Sequence, residues 1–564
     1  MENDKIIIYQ VFTRLFGNRM CNCKENGTLA ENGCGKFGFF DGTVLRRIKK
    51  LGVTHVWYTG VIRHASKTDY SRFGIPKQHP AVVKGNAGSP YAIVDYYDVD
   101  PDLADDVNNR MGEFESLVER THKAGLKVIM DFVPNHVARQ YKSISKPVGV
   151  VDLGENDDKN MGFSPKNNFY YCVNTQFEPY FDLNDNDGIP YFEYPSKATG
   201  NDHFDNHPGM NDWYETVKLN YGIDYCDAGG RSYHFDPIPD TWLKMLDILM
   251  FWAGKGVDGF RCDMAEMVPT EFWSWVIEKV KSKYPELLFI GEVYNPSLYR
   301  SFVSSGFDYL YDKVGMYDCL CGIMRGACPA KAITWQWQNV DDISGHMLYF
   351  LENHDEVRLA SDFLAGDARK GIPALIVSSL MNRNPFMLYA GQEYGERGMD
   401  KEGFSGCDGR TTIFDYWTVP ALYKGYANRR KLTVGDKYIE ERYSRILNLA
   451  KTEKAIRFGA FFDLMYVNEE NYAFDTYHQY AFLRKADNEV ILVVVNFSNK
   501  DVECGIRLPR HAFDYLDMPE TVVRAYNIFS DDEPECFDLK ADDLVKVKIK
   551  AYDGVAYKFY IENN

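Results

Sequence analysis

Eight short apolar runs, interspersed with helical segments in one consistent order, leave few architectures open to this chain. The runs are Ile6–Phe12, Val53–Tyr58, Val128–Phe132, Val257–Cys262, Leu287–Ile290, Phe307–Leu310, Met347–Leu351 and Pro385–Tyr389. Helical spacing shows at Val44–Leu51, Met111–Ala124, Trp242–Lys255, Thr270–Lys283, Pro373–Met381 and Tyr443–Lys451. Alternation of this kind builds parallel sheets, and eight strands in a single order predict a TIM (β/α)8 barrel in the α/β class. Hydrophobic residues make up 45% of the 564, enough for a core of that size.

Two stretches break the alternation. From Ala138 to about His234 the chain is rich in Asn, Asp, Tyr and Phe with little periodicity. So long an irregular stretch inside a compact domain tends to be functional, and it predicts a subdomain inserted after the third strand. After about Ala460 the pattern is purely β, as in Tyr480–Leu483, Val490–Asn496, Val545–Lys550 and Val555–Tyr560. The expected organisation is a first barrel part at 1–137, an insert at 138–235, a second barrel part at 236–462 and a C-terminal antiparallel β-sandwich at 463–564.

The net charge of -17 argues against nucleic acid and anionic membranes as partners. No apolar stretch reaches the ~18 residues of a membrane span, and no basic leader precedes Ile6. The 12 cysteines form neither a C-x-x-C pair nor a zinc pattern, which reads as reduced thiols and a cytoplasmic location, with a periplasmic or secreted one as the alternative.

In a barrel of this type the chemistry sits where strands end. The third strand ends Asp131-Phe-Val-Pro-Asn135-His136. The fourth ends Gly259-Phe-Arg261-Cys-Asp263-Met-Ala-Glu266, the fifth Gly291-Glu292-Val-Tyr294, and the seventh Glu352-Asn353-His354-Asp355. Each alone is weak, because a carboxylate at a strand end is often only a helix cap. Together, each closing a strand at barrel spacing, they point to one site. Cleaving a glycoside with retention needs two carboxyl groups ~5–5.5 Å apart, one nucleophile and one acid/base. Arg261 and Asp263, two apart on a strand, point the same way, and a guanidinium beside Asp263 is expected to lower its pKa. Glu292 has no basic neighbour in sequence and stands among apolar residues, so its pKa is expected to be raised, as a general acid requires.

These motifs resemble those of the α-amylase superfamily of glycoside hydrolases over roughly residues 5–460. Gly52-Val-Thr-His-Val-Trp57-Tyr-Thr-Gly-Val61 is similar to that family's second-strand motif, and Ser89-Pro-Tyr91-Ala-Ile-Val-Asp95-Tyr96-Tyr97 to the segment before its second barrel helix. The resemblance implies Asp263 as nucleophile, Glu292 as acid/base and Asp355 as the third carboxylate, gripping the distorted sugar. It implies Tyr91 as the aromatic platform and His136, Arg261, His354 and Arg358 as substrate-binding residues, with Asp131 supporting Arg261. Thr216-Val-Lys218-Leu219-Asn220 looks like the neopullulanase–cyclomaltodextrinase form of a further conserved segment.

The chemistry requires no cofactor. Many relatives bind a structural calcium, for which Asn135 is in place, but Met267 stands where a calcium-ligand His is frequent, and a thioether is a poor ligand for a hard cation. Asp182, Asn184 and Asn186, with Glu193 beyond, look a little like a calcium loop whose Gly188 comes one place late; an Asn/Asp-rich turn is the other reading. The loop Asn18–Gly35 is a second metal candidate.

The expected activity is a retaining hydrolase cutting α-1,4-glucosidic bonds in starch fragments or maltooligosaccharides through a covalent glycosyl-enzyme intermediate. A glucan transferase or an α-glucosidase on the same scaffold is the alternative, since water and an acceptor sugar compete for one intermediate. A binding protein with a dead barrel is disfavoured because all three carboxylates are present. The β tail reads as a structural cap more readily than as a starch-binding module. The expected partner is an α-glucan oligosaccharide or polysaccharide; the oligomeric state is not legible.

Overall fold

The computed structural model describes residues 5–184 and 187–561. Eight parallel strands close into a barrel: β1 (Ile7–Phe12), β2 (His55–Thr59), β3 (Lys127–Phe132), β4 (Gly259–Cys262), β5 (Leu288–Gly291), β6 (Tyr309–Tyr311), β7 (Met347–Phe350) and β8 (Phe386–Tyr389). Each pairs with its sequence neighbours, and β8 closes on β1 through Ile7 opposite Phe386. All eight apolar runs are barrel strands. They read as near-continuous hydrophobic runs because both faces are buried, one by the barrel interior and one by the helices.

The main flanking helices are α1 (Gly42–Lys50), α2 (Arg110–Lys123), α3 (Asp240–Gly254), α4 (Thr270–Lys283), α5 (Ile372–Leu380) and α6 (Val434–Thr452). In α1 the Asp41 carboxylate caps Thr43 N and Val44 N, Val44, Leu45 and Ile48 face the core, and Arg47, Lys49 and Lys50 sit at the negative end of the dipole. Helix α6 begins nine residues earlier than its apolar pattern suggested. A capping box between Thr433 and Asp436 starts it, and its first turns carry Lys437, Glu440 and Glu441, which hide the stripe.

Between His136 and Tyr233 regular structure is sparse. His136–Ala138 pairs antiparallel with Thr216–Lys218, so both ends of the long excursion are tied together beside the mouth of the barrel. Ile223–Asp227 and Gly230–Tyr233 form a hairpin.

The tail adds β9 (Ala460–Asp463), β10 (Gln479–Ala486), β11 (Glu489–Asn496), β12 (Val502–Arg507), β13 (Thr521–Asn527), β14 (Glu535–Leu539), β15 (Leu544–Ile549) and β16 (Asp553–Tyr560). Six of them form one sheet in the order β9-β10-β11-β16-β13-β14, and β12 pairs with β15. Arg484 of β10 is buried against the barrel. Its guanidinium donates to the carbonyls of Met381 (2.8 Å), Ile456 (2.9 Å) and Ala455 (3.2 Å), all at helix ends. All twelve cysteines are free thiols. Among the described residues no helix is long and apolar enough to cross a membrane.

Candidate active site

Neighbouring barrel strands put residues of equal height side by side. Arg261 of β4 lies opposite Asp131 of β3 and Ile290 of β5, and the next rung sets Cys262 between Phe132 and Gly291. Asp263 and Glu292 are the first residues above that rung. Backbone bonds from Asp263 N to Phe132 O (2.9 Å) and from Glu292 N to Cys262 O (3.1 Å) hold them level. With strands ~4.8 Å apart, two carboxyl side chains rise from adjacent strands at the same height.

One guanidinium joins them. Arg261 Nη1 is 2.7 Å from Asp263 Oδ1 and Nη2 is 2.8 Å from Glu292 Oε2. Arg261 Nε donates to the Tyr311 hydroxyl at 3.2 Å, and Asp131 Oδ1 lies 3.7 Å from Nη1. The rings of Trp57, Tyr91 and Tyr311 surround the guanidinium with centroids 5.2–5.5 Å away. Asp131 is fixed from behind by Gly60 N at 3.1 Å. The expected support of Arg261 by Asp131 is therefore a loose contact, and the tight partners are the two carboxylates in the cleft.

The electrostatics differ from the sequence reading in two respects. Burial is the larger effect on Asp263 and pushes its carboxyl well above the usual range. Arg261 opposes this, and Glu292 and Asp355 add to it. Glu292 does not stand among apolar groups alone. Besides Arg261 it accepts Met264 N at 2.7 Å and the Tyr294 hydroxyl at 2.5 Å. Arg261 and Met264 come from the neighbouring strand and the turn after it, about thirty residues away in sequence, which is why local neighbours misled. Asp355 is pushed up to about 7, first by burial and then by Glu292, with Arg261 opposing. Asp263 and Asp355 are thus both held above the usual carboxylate range by burial and by neighbouring carboxylates, with Arg261 opposing.

Met264 holds a left-handed backbone (φ 44°, ψ 43°), unusual for a side chain of its size. That turn is what aims its N–H at Glu292. Such local strain persists only where the surroundings enforce it.

His354 is buried and its pKa lies well below the ordinary value, through burial and Arg261. Gln10 Nε2 meets its Nδ1 at 2.8 Å, which leaves the proton on Nε2. That nitrogen contacts the Tyr91 hydroxyl and lies 3.1 Å from Asp355 Oδ2. His136 is likewise neutral, lowered to about 3 by burial, Lys218 and Lys84. Its Nδ1 meets Asn135 Nδ2 at 3.1 Å, so its Nε2–H is the donor available to a ligand. Trp213 packs on the His136 ring at 5.2 Å.

Tyr91, His136, Asp263, Glu292 and Asp355 share a cavity of about 310 Å³ at the C-terminal end of the barrel. Arg358 is not brought there. It is fully buried, paired with Glu352 at 2.9 Å and stacked 3.8 Å from the Tyr389 ring. Its spacing from Asp355 aims it back into the barrel, so the expected contact with sugar is corrected to a structural ion pair.

The residues proposed for calcium do not fit one. The Lys218 ammonium contacts Asn135 Oδ1, lies 2.7 Å from Asp202 Oδ1 and 3.4 Å from the Met267 carbonyl. A fixed positive charge already sits where those oxygens converge, and a divalent cation there would be repelled. Asp182 accepts both Asn184 N (3.0 Å) and Asn184 Nδ2 (2.7 Å), the signature of an Asx turn. Glu193 is buried against Arg139 at 2.8 Å. Asn186 lies outside the described residues. In the loop Asn18–Gly35 the Asn18 and Asn32 amides bind the backbone carbonyls of Trp417 and Tyr416. Among the described residues one group of three or more His, Cys, Asp or Glu side chains could share an ion, Asp224, Asp227 and His234 at the hairpin.

Sequence reasoning missed Tyr294, Trp213 and the loop residues Ile413 and Phe414, which also line the cavity, and Gln10 and Tyr311, which hold His354 and Arg261. Gln10 and Tyr311 had a usable signal, a polar group on the inward alternation near a strand's end. The loop residues had none.

Residues 31–445 match the family described as "Alpha amylase, catalytic domain". The chain is 26% identical over 359 residues to the alpha-amylase MalA of Haloarcula japonica, covering 62% of this chain and 40% of that one. It is 23% identical over 514 residues to a cyclomaltodextrinase of a Bacillus species, covering 87% and 72%. In fold it is similar to the noncanonic maltogenic alpha-amylase AmyB from Thermotoga neapolitana, with a TM-score of 0.63 at 19% identity and full coverage of both chains.

Proposed function

The chain belongs to the α-amylase family, and we propose that it hydrolyses α-1,4-glucosidic bonds in starch fragments or maltooligosaccharides with retention of configuration. One observation carries the reading. Asp263 and Glu292 stand level on adjacent strands and are bridged by a single guanidinium. That arrangement supports the short carboxyl separation of a retaining site.

In this reading the sugar on Tyr91 is held by the neutral His136 and His354 and by Asp355. Arg261 fixes Asp263 Oδ1, so Oδ2 attacks the anomeric carbon. The C1–O bond breaks as Glu292 gives its proton to the departing oxygen, and a covalent glycosyl ester on Asp263 results. Water then enters, Glu292 takes its proton, the hydroxide oxygen bonds to C1, and Asp263 leaves. The Tyr294 hydroxyl both donates and accepts, so it serves Glu292 in either protonation state.

Maltoheptaose with chromatography of the products tests the reading. Only shorter sugars are expected, and an Asp263→Asn variant is expected to lose about 10⁴-fold or more in rate. Longer sugars at early times would make the chain a transferase, and undiminished cleavage by Asp263→Asn would remove Asp263 from the mechanism.

A further inference from the structure

The two oxygens of Glu292 are not equivalent. Met264 N donates to Oε2 at 2.7 Å, and the Arg261 guanidinium lies 2.8 Å from the same atom. Neither group can accept a hydrogen bond, and both favour negative charge on Oε2. The partner of Oε1 is the Tyr294 hydroxyl, which can donate or accept. The place for a proton that Glu292 gives to a departing oxygen is therefore Oε1. Burial, then Glu292 and Asp355, hold the Tyr294 pKa well above its usual range against Arg261, so the hydroxyl keeps its own proton.

Tyr294 is held in turn by a residue of the neighbouring loop. Glu266 lies in the short turn Ala265–Met267 after β4, and its Oε2 accepts both Tyr294 N at 2.8 Å and Asn295 N at 3.0 Å. These two N–H groups lie past the end of β5, just before the turn Pro296–Leu298 that Asn295 caps. The turn that carries Glu266 is itself pinned, by Trp273 Nε1 to Ala265 O at 3.1 Å and by Lys218 to Met267 O at 3.4 Å. It follows directly on the left-handed Met264 whose N–H meets Glu292. Residues 264–267 thus reach Glu292 twice, directly at Oε2 and through the Tyr294 backbone at Oε1.

The Tyr294 bond has a direction in the reaction. A hydroxyl donor stabilises a carboxylate more than a carboxylic acid. The bond strengthens as the proton leaves Glu292, and an interaction that is stronger in the transition state than before it speeds the step.

We infer that Tyr294 and Glu266 are positioning residues that fix Glu292 Oε1 as the proton-carrying oxygen. The inference rests on the hydrolase reading above and adds how its acid is aimed. The test compares kcat/KM on maltoheptaose, whose departing sugar needs a proton, with kcat/KM on α-maltosyl fluoride, whose fluoride leaves without one. Tyr294→Phe and Glu266→Ala are each expected to lose about tenfold or more on maltoheptaose and to stay within about threefold of wild type on the fluoride. Glu266→Gln keeps an oxygen for both N–H groups and is expected to recover most of what Glu266→Ala loses. Equal losses on the two substrates would mean a general distortion of the cleft and would overturn the inference. So would undiminished cleavage of maltoheptaose by Tyr294→Phe, the variant that decides the matter if Glu266→Ala does not fold. Wild-type enzyme inactive on both substrates would overturn the hydrolase reading, and the inference with it.

Discussion

At the scale of single residues, Arg261 sets the terms of the cleft. Among the described residues it is the one cation in contact with Asp263 and Glu292, with Asp131 behind it. Burial raises the carboxyl of Asp131 to about 6 and that of Asp355 to about 7, against ~3.9 for an unfolded aspartate. A carboxyl whose folded value lies above its unfolded value adds stability that is fully present below the unfolded value and lost as pH rises through the folded one. Asp355→Asn is therefore expected to melt above the parent at pH 8 and close to it at pH 4, as followed by circular dichroism. An equal gap at both values would mean that Asp355 is not the strained group. The motif residues themselves were legible because each carboxylate ends a strand that is apolar on both faces. Their charge states were not. Whether Glu292 meets a cation depends on β4 lying beside β5, and no local spacing carries that. Arg358 shows the same limit from the other side: three residues past Asp355, it turns inward to Glu352.

At the scale of elements, the strand pair His136–Ala138 and Thr216–Lys218 joins the excursion to the barrel and carries its own cation. Lys218 meets the oxygens of Asn135, Asp202 and Met267. Prolonged incubation with EDTA is expected to leave both the melting temperature and kcat/KM unchanged. Lys218→Ala, which leaves a buried oxygen cluster without its charge, is expected to cost about 3 kcal/mol in stability. A melting temperature that falls with EDTA and recovers with calcium would contradict this. The sequence raised the question through Met267 but gave no answer, since Lys218 lies 83 residues beyond Asn135. Helix and strand bounds were legible wherever an apolar stripe was dense, as in α4, and blurred where charged turns extend a helix, as at the start of α6.

At the scale of the molecule, the barrel was readable because eight buried strands leave eight apolar runs. The organisation of the long excursion was not, because its few short strands are held by side-chain bonds that follow no period. The tail's strands alternated plainly enough, but its seam with the barrel is made by scattered side chains such as Asp463, Arg442, Arg445 and the Arg484 that β10 buries, which follow no period. Replacing Arg484 with alanine removes three charge-assisted bonds to helix-end carbonyls and is expected to lower stability by about 3 kcal/mol. Since Arg484 touches no cleft residue, kcat/KM on maltoheptaose well below the transition should stay within about twofold; a large loss of activity in the folded variant would tie the tail to catalysis. The account of the whole turns on two level carboxylates bridged by Arg261, which makes retention its most exposed claim. Proton NMR of the first products released from maltoheptaose, recorded before mutarotation, reads the anomeric configuration directly. The α-anomer is predicted; the β-anomer would contradict the mechanism.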